Sequence, residues 1–109
     1  MASFEARTAA GKGRVTVVLH GECDLTARAQ LTAVLLDAVG REESVFVDVA
    51  GVSFFDSTGV QALVIAHHAA RRRKGQLFVV NAGGAVAAVL ELTGLDALLR
   101  APAEERRHG

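Results

Sequence analysis

Short β-branched runs alternate along the chain with longer segments in which apolar residues recur every three or four positions. Residues 4–8 alternate loosely between apolar and polar side chains, and the run VTVVLHG (15–21) follows a turn-like stretch with two glycines around Lys12. This order predicts a β-hairpin. The runs SVFVDVAGV (44–52) and QLFVV (76–80) are short and nearly continuously apolar, as strands covered on both faces are.

Three segments have helical periodicity. In ARAQLTAVLLDAV, apolar residues recur at the spacing i, i+3, i+4, i+7, which is one face of a helix. Asp24 and Thr26 are both candidate N-caps for this first helix. A glycine follows each segment where a C-terminal cap is expected. The helices and their glycines are 27–39 with Gly40, Thr58–Lys74 with Gly75, and 85–92 with Gly94.

The predicted order β-β-α-β-α-β-α is that of an α/β sandwich, in which helices pack on a central, mostly β-sheet core. The chain of 109 residues is expected to form one domain, 1–109, with its core over about 4–99. The last residues, APAEERRHG (101–109), are largely polar and contain the single proline, so a flexible tail is expected there.

Composition and charge narrow the function classes. Half of the residues are hydrophobic and 22% are charged, which is typical of a folded globular domain. Twelve basic residues balance twelve acidic ones, so no global field favours direct binding of nucleic acid or an anionic membrane. The single cysteine excludes an internal disulfide and favours a reducing compartment. With neither a signal peptide nor a run of about 20 apolar residues, a cytoplasmic protein is expected.

Most residues that could bind a metal, act in catalysis or bind phosphate are explained by a structural role. His67 and His68 are adjacent and would point about 100° apart on a helix, which disfavours a shared metal ion. Cys23 has no partner at metal-ligand spacing and is expected to be a small, partly buried hydrophobic residue. The basic run 71–74 is expected to solvate the C-terminal end of the second helix. No metal, cofactor or catalytic residue is predicted.

The sequence Asp56-Ser57-Thr58-Gly59 follows two aromatic residues at the predicted junction of a strand with the second helix. In one interpretation the motif only starts the helix, because Thr58 with Gln61 matches a capping box. In the other interpretation, one hydroxyl is also a site of covalent modification at the tip of a βα turn. N–H groups and the helix dipole would stabilise a phosphate attached there. The residues alone leave both interpretations open.

Three stretches stand in a characteristic order and spacing. They are His20-Gly21-Glu22-Cys23-Asp24-Leu25; Val47-Asp48-Val49-Ala50-Gly51-Val52 leading into Phe55-Asp56-Ser57-Thr58-Gly59-Val60; and Val89-Leu90-Glu91-Leu92-Thr93-Gly94-Leu95-Asp96. Each stretch is weak alone, but together they run from about residue 14 to 99. In this order the chain resembles a STAS domain, and specifically a bacterial anti-sigma factor antagonist.

The resemblance implies a STAS-type fold and a protein switch controlled by phosphorylation. Such antagonists bind an anti-sigma factor that is also a serine kinase, a GHKL-type ATPase, and thereby release a sigma factor. The kinase inactivates the antagonist by phosphorylating its serine, and a phosphatase resets it. By position, Ser57 is the phosphoacceptor and Thr58 the alternative. Asp24 corresponds to the acid beside that serine, and Asp56, Ser57, Thr58 and Gly59 complete the expected partner contact.

Two other functions use the same fold without phosphorylation: an adaptor subunit of a transporter ATPase and a module of a stress-signalling assembly. The intact motif at 56–59 favours the switch, and we expect a monomer or a weak homodimer without enzymatic activity. The sequence departs from the family in its third helix, where 85–90 reads AVAAVL and lacks the basic residues that relatives often have. The resemblance therefore does not predict a charged partner contact on that helix.

Overall fold

The computed structural model describes residues 3–102, which form a four-stranded sheet with helices packed on it. The predicted element order is confirmed, and one short helix is added after Gly94. The elements are β1 (Phe4–Gly11), β2 (Arg14–Cys23), a 3-10 helix (Leu25–Ala27), α1 (Arg28–Arg41), β3 (Ser44–Phe55), α2 (Ser57–Arg72), β4 (Gln76–Val80), α3 (Gly84–Thr93) and α4 (Leu95–Leu98).

The sheet has the strand order β1-β2-β3-β4. β1 and β2 form the predicted antiparallel hairpin, with Gly11 opposite Arg14 at the turn. β2, β3 and β4 are parallel, so the connections that contain α1 and α2 are crossovers. Because the three parallel strands point the same way, the starts of the helices that follow β2 and β3 lie at one edge of the sheet.

The helices cover one face of the sheet. Val17 and Leu19 of β2 belong to a single buried core with residues of all four α-helices. The opposite face carries Phe46 and Phe78, whose ring centroids lie 5.1 Å apart, and the Arg14 guanidinium lies 4.4 Å from the centre of the Phe46 ring. The sequence predicted strands covered on both faces. Helices cover only one side of β3, and on the other side Phe78 and the Arg14 guanidinium lie against Phe46.

The end of α1 differs from the prediction. Gly40 was expected to be a left-handed C-terminal cap, but α1 continues through it to Arg41, and the next residue, Glu42, is extended. Gly40 does not have a positive φ, and a Cβ added to it would meet nothing within 4 Å. The predicted cap is therefore wrong, and Gly40 is an ordinary, exposed helix position.

α2 ends in a Schellman motif whose left-handed residue lies one position earlier than predicted. Lys74 takes that conformation, at φ 63°, while the N–H of Gly75 donates to the carbonyl of Ala70 at 2.8 Å. Gly75 is needed for a different reason. A Cβ there would lie 2.5 Å from the carbonyl oxygen of Glu43, just before β3.

The folded domain extends further towards the C-terminus than the predicted core. The N–H of Val79 donates to the carbonyl of Leu99 at 2.8 Å, and Arg100 forms a parallel bridge with Val79. Ala101, which was expected to begin the tail, is 2% exposed and belongs to the folded domain, whereas Pro102 is exposed. The rest of the expected tail, 103–109, lies outside the described residues.

Gly40→Ala and Gly75→Ala are expected to change stability in opposite directions. Gly40→Ala should raise the free energy of unfolding by about 0.5–1 kcal/mol, because alanine loses less conformational entropy than glycine in a helix. Gly75→Ala should lower it by at least about 1 kcal/mol, since the new Cβ would press on the backbone of Glu43. Urea unfolding measures both changes. A Gly40→Ala protein less stable than wild type would contradict this interpretation and favour the predicted glycine cap at Gly40.

Candidate functional site

The ends of β2 and β3 lie side by side at the edge of the sheet where α1 and α2 begin. Two register shifts make β3 longer than β2 by two residues, and the last pair of the ladder is Cys23 with Phe55. Asp24 and Asp56 are therefore the next residues on two neighbouring parallel strands, which are spaced about 4.8 Å apart. The structure thus brings both predicted acids to one surface.

Asp24 caps the 3-10 helix that leads into α1. Its Oδ1 accepts hydrogen bonds from the N–H of Thr26 at 3.0 Å and from the Thr26 hydroxyl at 2.6 Å, and its carbonyl accepts one from the N–H of Ala27 at 3.0 Å. The hydrogen bond from the Thr26 side chain lowers the pKa of Asp24, so this carboxylate stays ionised well below neutral pH. Both residues were predicted as N-caps of the first helix. Asp24 caps only the short 3-10 helix, whereas α1 itself begins after Ala27 without a side-chain cap.

Asp56 holds the equivalent position at the start of α2. Its Oδ1 accepts a hydrogen bond from the N–H of Thr58 at 2.8 Å, and its carbonyl accepts one from the N–H of Val60 at 3.2 Å. This is the geometry of an N-cap, and Ser57 is the first residue of the helix. The prediction that Thr58 caps α2 together with Gln61 is therefore wrong. The acid before the two hydroxyls is the cap.

The two hydroxyl residues differ in exposure. Ser57 is exposed, whereas Thr58 is 8% exposed and belongs to the buried side of α2. Within residues 3–102, the N–H groups of Ser57 and Gly59 donate to no acceptor, so the first turn of α2 keeps free donors near the Ser57 hydroxyl. This arrangement is locally favourable for an anionic group attached to Ser57.

Gly59 allows Phe55 to pack under the first turn of α2. Gly59 is buried, and a Cβ added to it would collide with the buried Phe55 ring. Thr58 and Gly59 were expected to contact a partner, but in this conformation both lie inside the fold. The predicted contact residues that remain at the surface are Asp24, Asp56 and Ser57.

The Cys23 thiol is buried at the end of β2, next to the two acids. Burial and then the negative charges of Asp24 and Asp56 raise the pKa of Cys23 from its ordinary value of 9.0 to about 11. The sequence predicted only a partly buried hydrophobic residue, and Cys23 is in fact fully buried. Both carboxylates therefore lie close enough to the thiol to disfavour its ionisation.

The described residues 3–102, this edge included, contain no group of three or more His, Cys, Asp or Glu that could hold a metal ion. The rings of His67 and His68 lie 5.3 Å apart and tilted, and burial lowers the pKa of His67. In the same range, none of the helices has the length and apolar character needed to cross a bilayer.

Comparison with protein-family models identifies the family of the chain. The model of the STAS domain matches residues 5–107, nearly the whole length. The chain belongs to the STAS domain family. The resemblance drawn from its three sequence stretches is thereby confirmed at the level of the family. No curated protein sequence matches this STAS domain.

Solved structures share the fold. An anti-sigma factor antagonist from Mycobacterium paratuberculosis matches this STAS domain with a TM-score of 0.81 at 21% identity, covering 97% of this chain and 92% of that one. The anti-sigma factor antagonist SpoIIAA in its unphosphorylated form matches with 0.76 at 24% identity, covering 94% and 91%. The phosphorylated form of SpoIIAA from Bacillus matches with 0.70 at 24% identity, covering 94% and 95%. At these identities the likeness establishes the STAS fold alone.

Asp56→Ala should lower the free energy of unfolding by about 1 kcal/mol, because it removes the N-cap of α2. Asp56→Asn keeps an oxygen that can accept the same hydrogen bond and should retain most of the stability. Urea unfolding of the two variants measures the difference. The outcome that contradicts this assignment is an unchanged Asp56→Ala protein together with a destabilised Gln61→Ala protein, which would favour the capping box.

Cys23 should react slowly with a disulfide reagent at pH 8 in the folded protein and quickly in urea, because the buried thiol is un-ionised. Since folding raises the pKa of this thiol, its contribution to stability is fully present below about pH 9 and is lost as the pH rises towards about 11. Cys23→Ala should therefore lose less stability between pH 8 and pH 10.5 than wild type. Equal losses would mean that the pKa of Cys23 is not raised.

Proposed function

We propose that this STAS domain is an anti-sigma factor antagonist whose binding to its partner is controlled by phosphorylation of Ser57. The observation that carries the proposal is the position of Ser57, exposed at the first residue of α2 and adjoining the edge that carries Asp24 and Asp56. Family membership supports the same role, as does a fold shared with antagonists, one of them solved in a phosphorylated form.

The difference in exposure favours Ser57 over Thr58 as the phosphoacceptor. A kinase catalyses attack of the hydroxyl oxygen in line with the γ-phosphate, so that oxygen must be accessible. Ser57 offers its side chain to solvent without a change in the fold. Thr58 is packed on the inner side of α2 and would have to leave it, which would also disturb the helix start that Asp56 caps.

A phosphate on Ser57 would act on the partner more than on the fold. It adds a charge of about −1.5 to −2 near neutral pH. At a helix N-terminus this charge is favourable by about 0.3–1 kcal/mol, so the domain stays folded. A negative group of the partner within about 4 Å would be repelled by on the order of 4 kcal/mol before screening. Each 1.4 kcal/mol of that repulsion, roughly, changes the affinity tenfold.

The partners that complete the switch are a GHKL-type anti-sigma factor serine kinase and a phosphatase, with all three proteins in the cytoplasm. This STAS domain contributes the acceptor hydroxyl and no catalytic group. The alternative function, an adaptor of a transporter ATPase or a stress-signalling module, requires no phosphate on Ser57. Incubation with candidate kinases and ATP, followed by mass spectrometry of the peptide that contains Ser57, distinguishes the two functions.

Phosphorylation of Ser57 should weaken binding of the kinase at least tenfold, since the added charge acts across the interface. Calorimetric titration of both forms measures the two dissociation constants. The difference should shrink at high salt, because an exposed charge is screened, and circular dichroism should be nearly unchanged.

Two variants serve as controls for this experiment. Ser57→Ala should bind the kinase and take no phosphate, whereas Thr58→Val should still be phosphorylated. Equal affinities of the two forms would contradict the switch. A label that persists on Ser57→Ala and is lost in Thr58→Val would move the site to the second hydroxyl.

A further inference from the structure

A shallow apolar groove runs along the outer surface of α1 and α2. Leu25, Leu36 and Ile65 line it, exposed by 68%, 39% and 45%, around the small side chains of Ala29 and Ala33. Thr26, Arg28 and Thr32 add polar groups to the lining. Its volume is about 630 Å³. Within residues 3–102, six large apolar side chains are exposed to this degree, and half of them line this one groove. Single exposed apolar residues need no explanation, whereas three that converge on one groove make it a candidate docking surface.

The groove is continuous with the edge that carries Ser57. Leu25 directly follows Asp24, and Ile65 lies two turns along α2 from Ser57, roughly 12 Å along the helix axis. A stable protein interface covers roughly 800 Å² on each partner, which corresponds to a patch of about 16 Å radius. An interface of that size centred near the Ser57 hydroxyl reaches the groove.

We propose that the serine kinase that acts on Ser57 docks in this groove with an apolar side chain of the size of leucine, methionine or phenylalanine. The edge at Asp24, Asp56 and Ser57 is polar, whereas the binding energy of protein interfaces comes largely from a few apolar or aromatic anchors that lose their contact with water. The groove offers a place for such an anchor beside the polar edge. The inference rests on the proposed function and assigns the second half of the same interface.

Leu25→Gln and Ile65→Gln test the docking, with Leu92→Gln as the matched control. Leu92 lies on α3, away from the groove, and is 88% exposed, so all three variants replace a surface apolar residue by the same amide. Anti-sigma factor kinases encoded in the same genome, purified one at a time, serve as the probe. Calorimetric titration should give affinities at least tenfold weaker for the groove variants and within twofold of wild type for Leu92→Gln.

Phosphorylation kinetics provide a readout that a loss of fold would not imitate. The groove contacts are the same before and during phosphoryl transfer, so the groove variants should raise KM and leave kcat nearly unchanged. Circular dichroism and the melting temperature check that each variant is folded. If Ile65→Gln is not, Leu25→Gln and Leu36→Gln decide the question.

The outcomes separate this inference from the proposed function. Groove variants that bind and are phosphorylated like wild type would overturn the docking site and leave the switch at Ser57 intact. An equal loss of affinity in Leu92→Gln would also overturn the docking site. So would self-association of the wild-type protein, if the groove variants do not self-associate. A wild-type protein that none of the kinases phosphorylates would instead overturn the proposed function.

Discussion

The parallel pairing of β2 with β3 determines which residues lie at the candidate functional edge of this STAS domain. Two register shifts give β3 two extra residues before its last pair, and within the first shift the Asp48 side chain accepts a hydrogen bond from the N–H of Ala50 at 3.0 Å. These shifts place Phe55 opposite Cys23, with both side chains in the core. A slip of one residue would turn Phe55 towards solvent and separate the two acids that follow the strands.

The same local solution is used at both strand ends. Each strand is followed by an aspartate whose side chain accepts the N–H two residues further on, so Asp24 and Asp56 each start a helical segment. The edge therefore combines two opposing electrostatic features, helix-start N–H groups that favour an anion and carboxylates that repel one. Under the proposed function, this balance suits a phosphate that is added without unfolding the domain and removed again, because neither feature dominates.

Periodicity and turn residues predicted the elements but not the details that depend on register. The strands, the helices and the glycine cap of α3 at Gly94 are local properties, and the structure has each of them. The cap of α2 is not local, because Asp56 and Thr58 are both good N-caps and the end of β3 decides between them.

A single phosphate can release a partner only when the rest of the interface is not much stronger than the repulsion it adds. That repulsion is at most a few kcal/mol after screening, whereas full burial of several large apolar side chains would contribute about 1.5–3 kcal/mol for each. Leu36 and Ile65 are already more than half covered by their own fold, and only Leu25 is largely free. If the proposed kinase docks here, a groove of this kind adds moderate affinity and leaves control of the complex to the charge on Ser57.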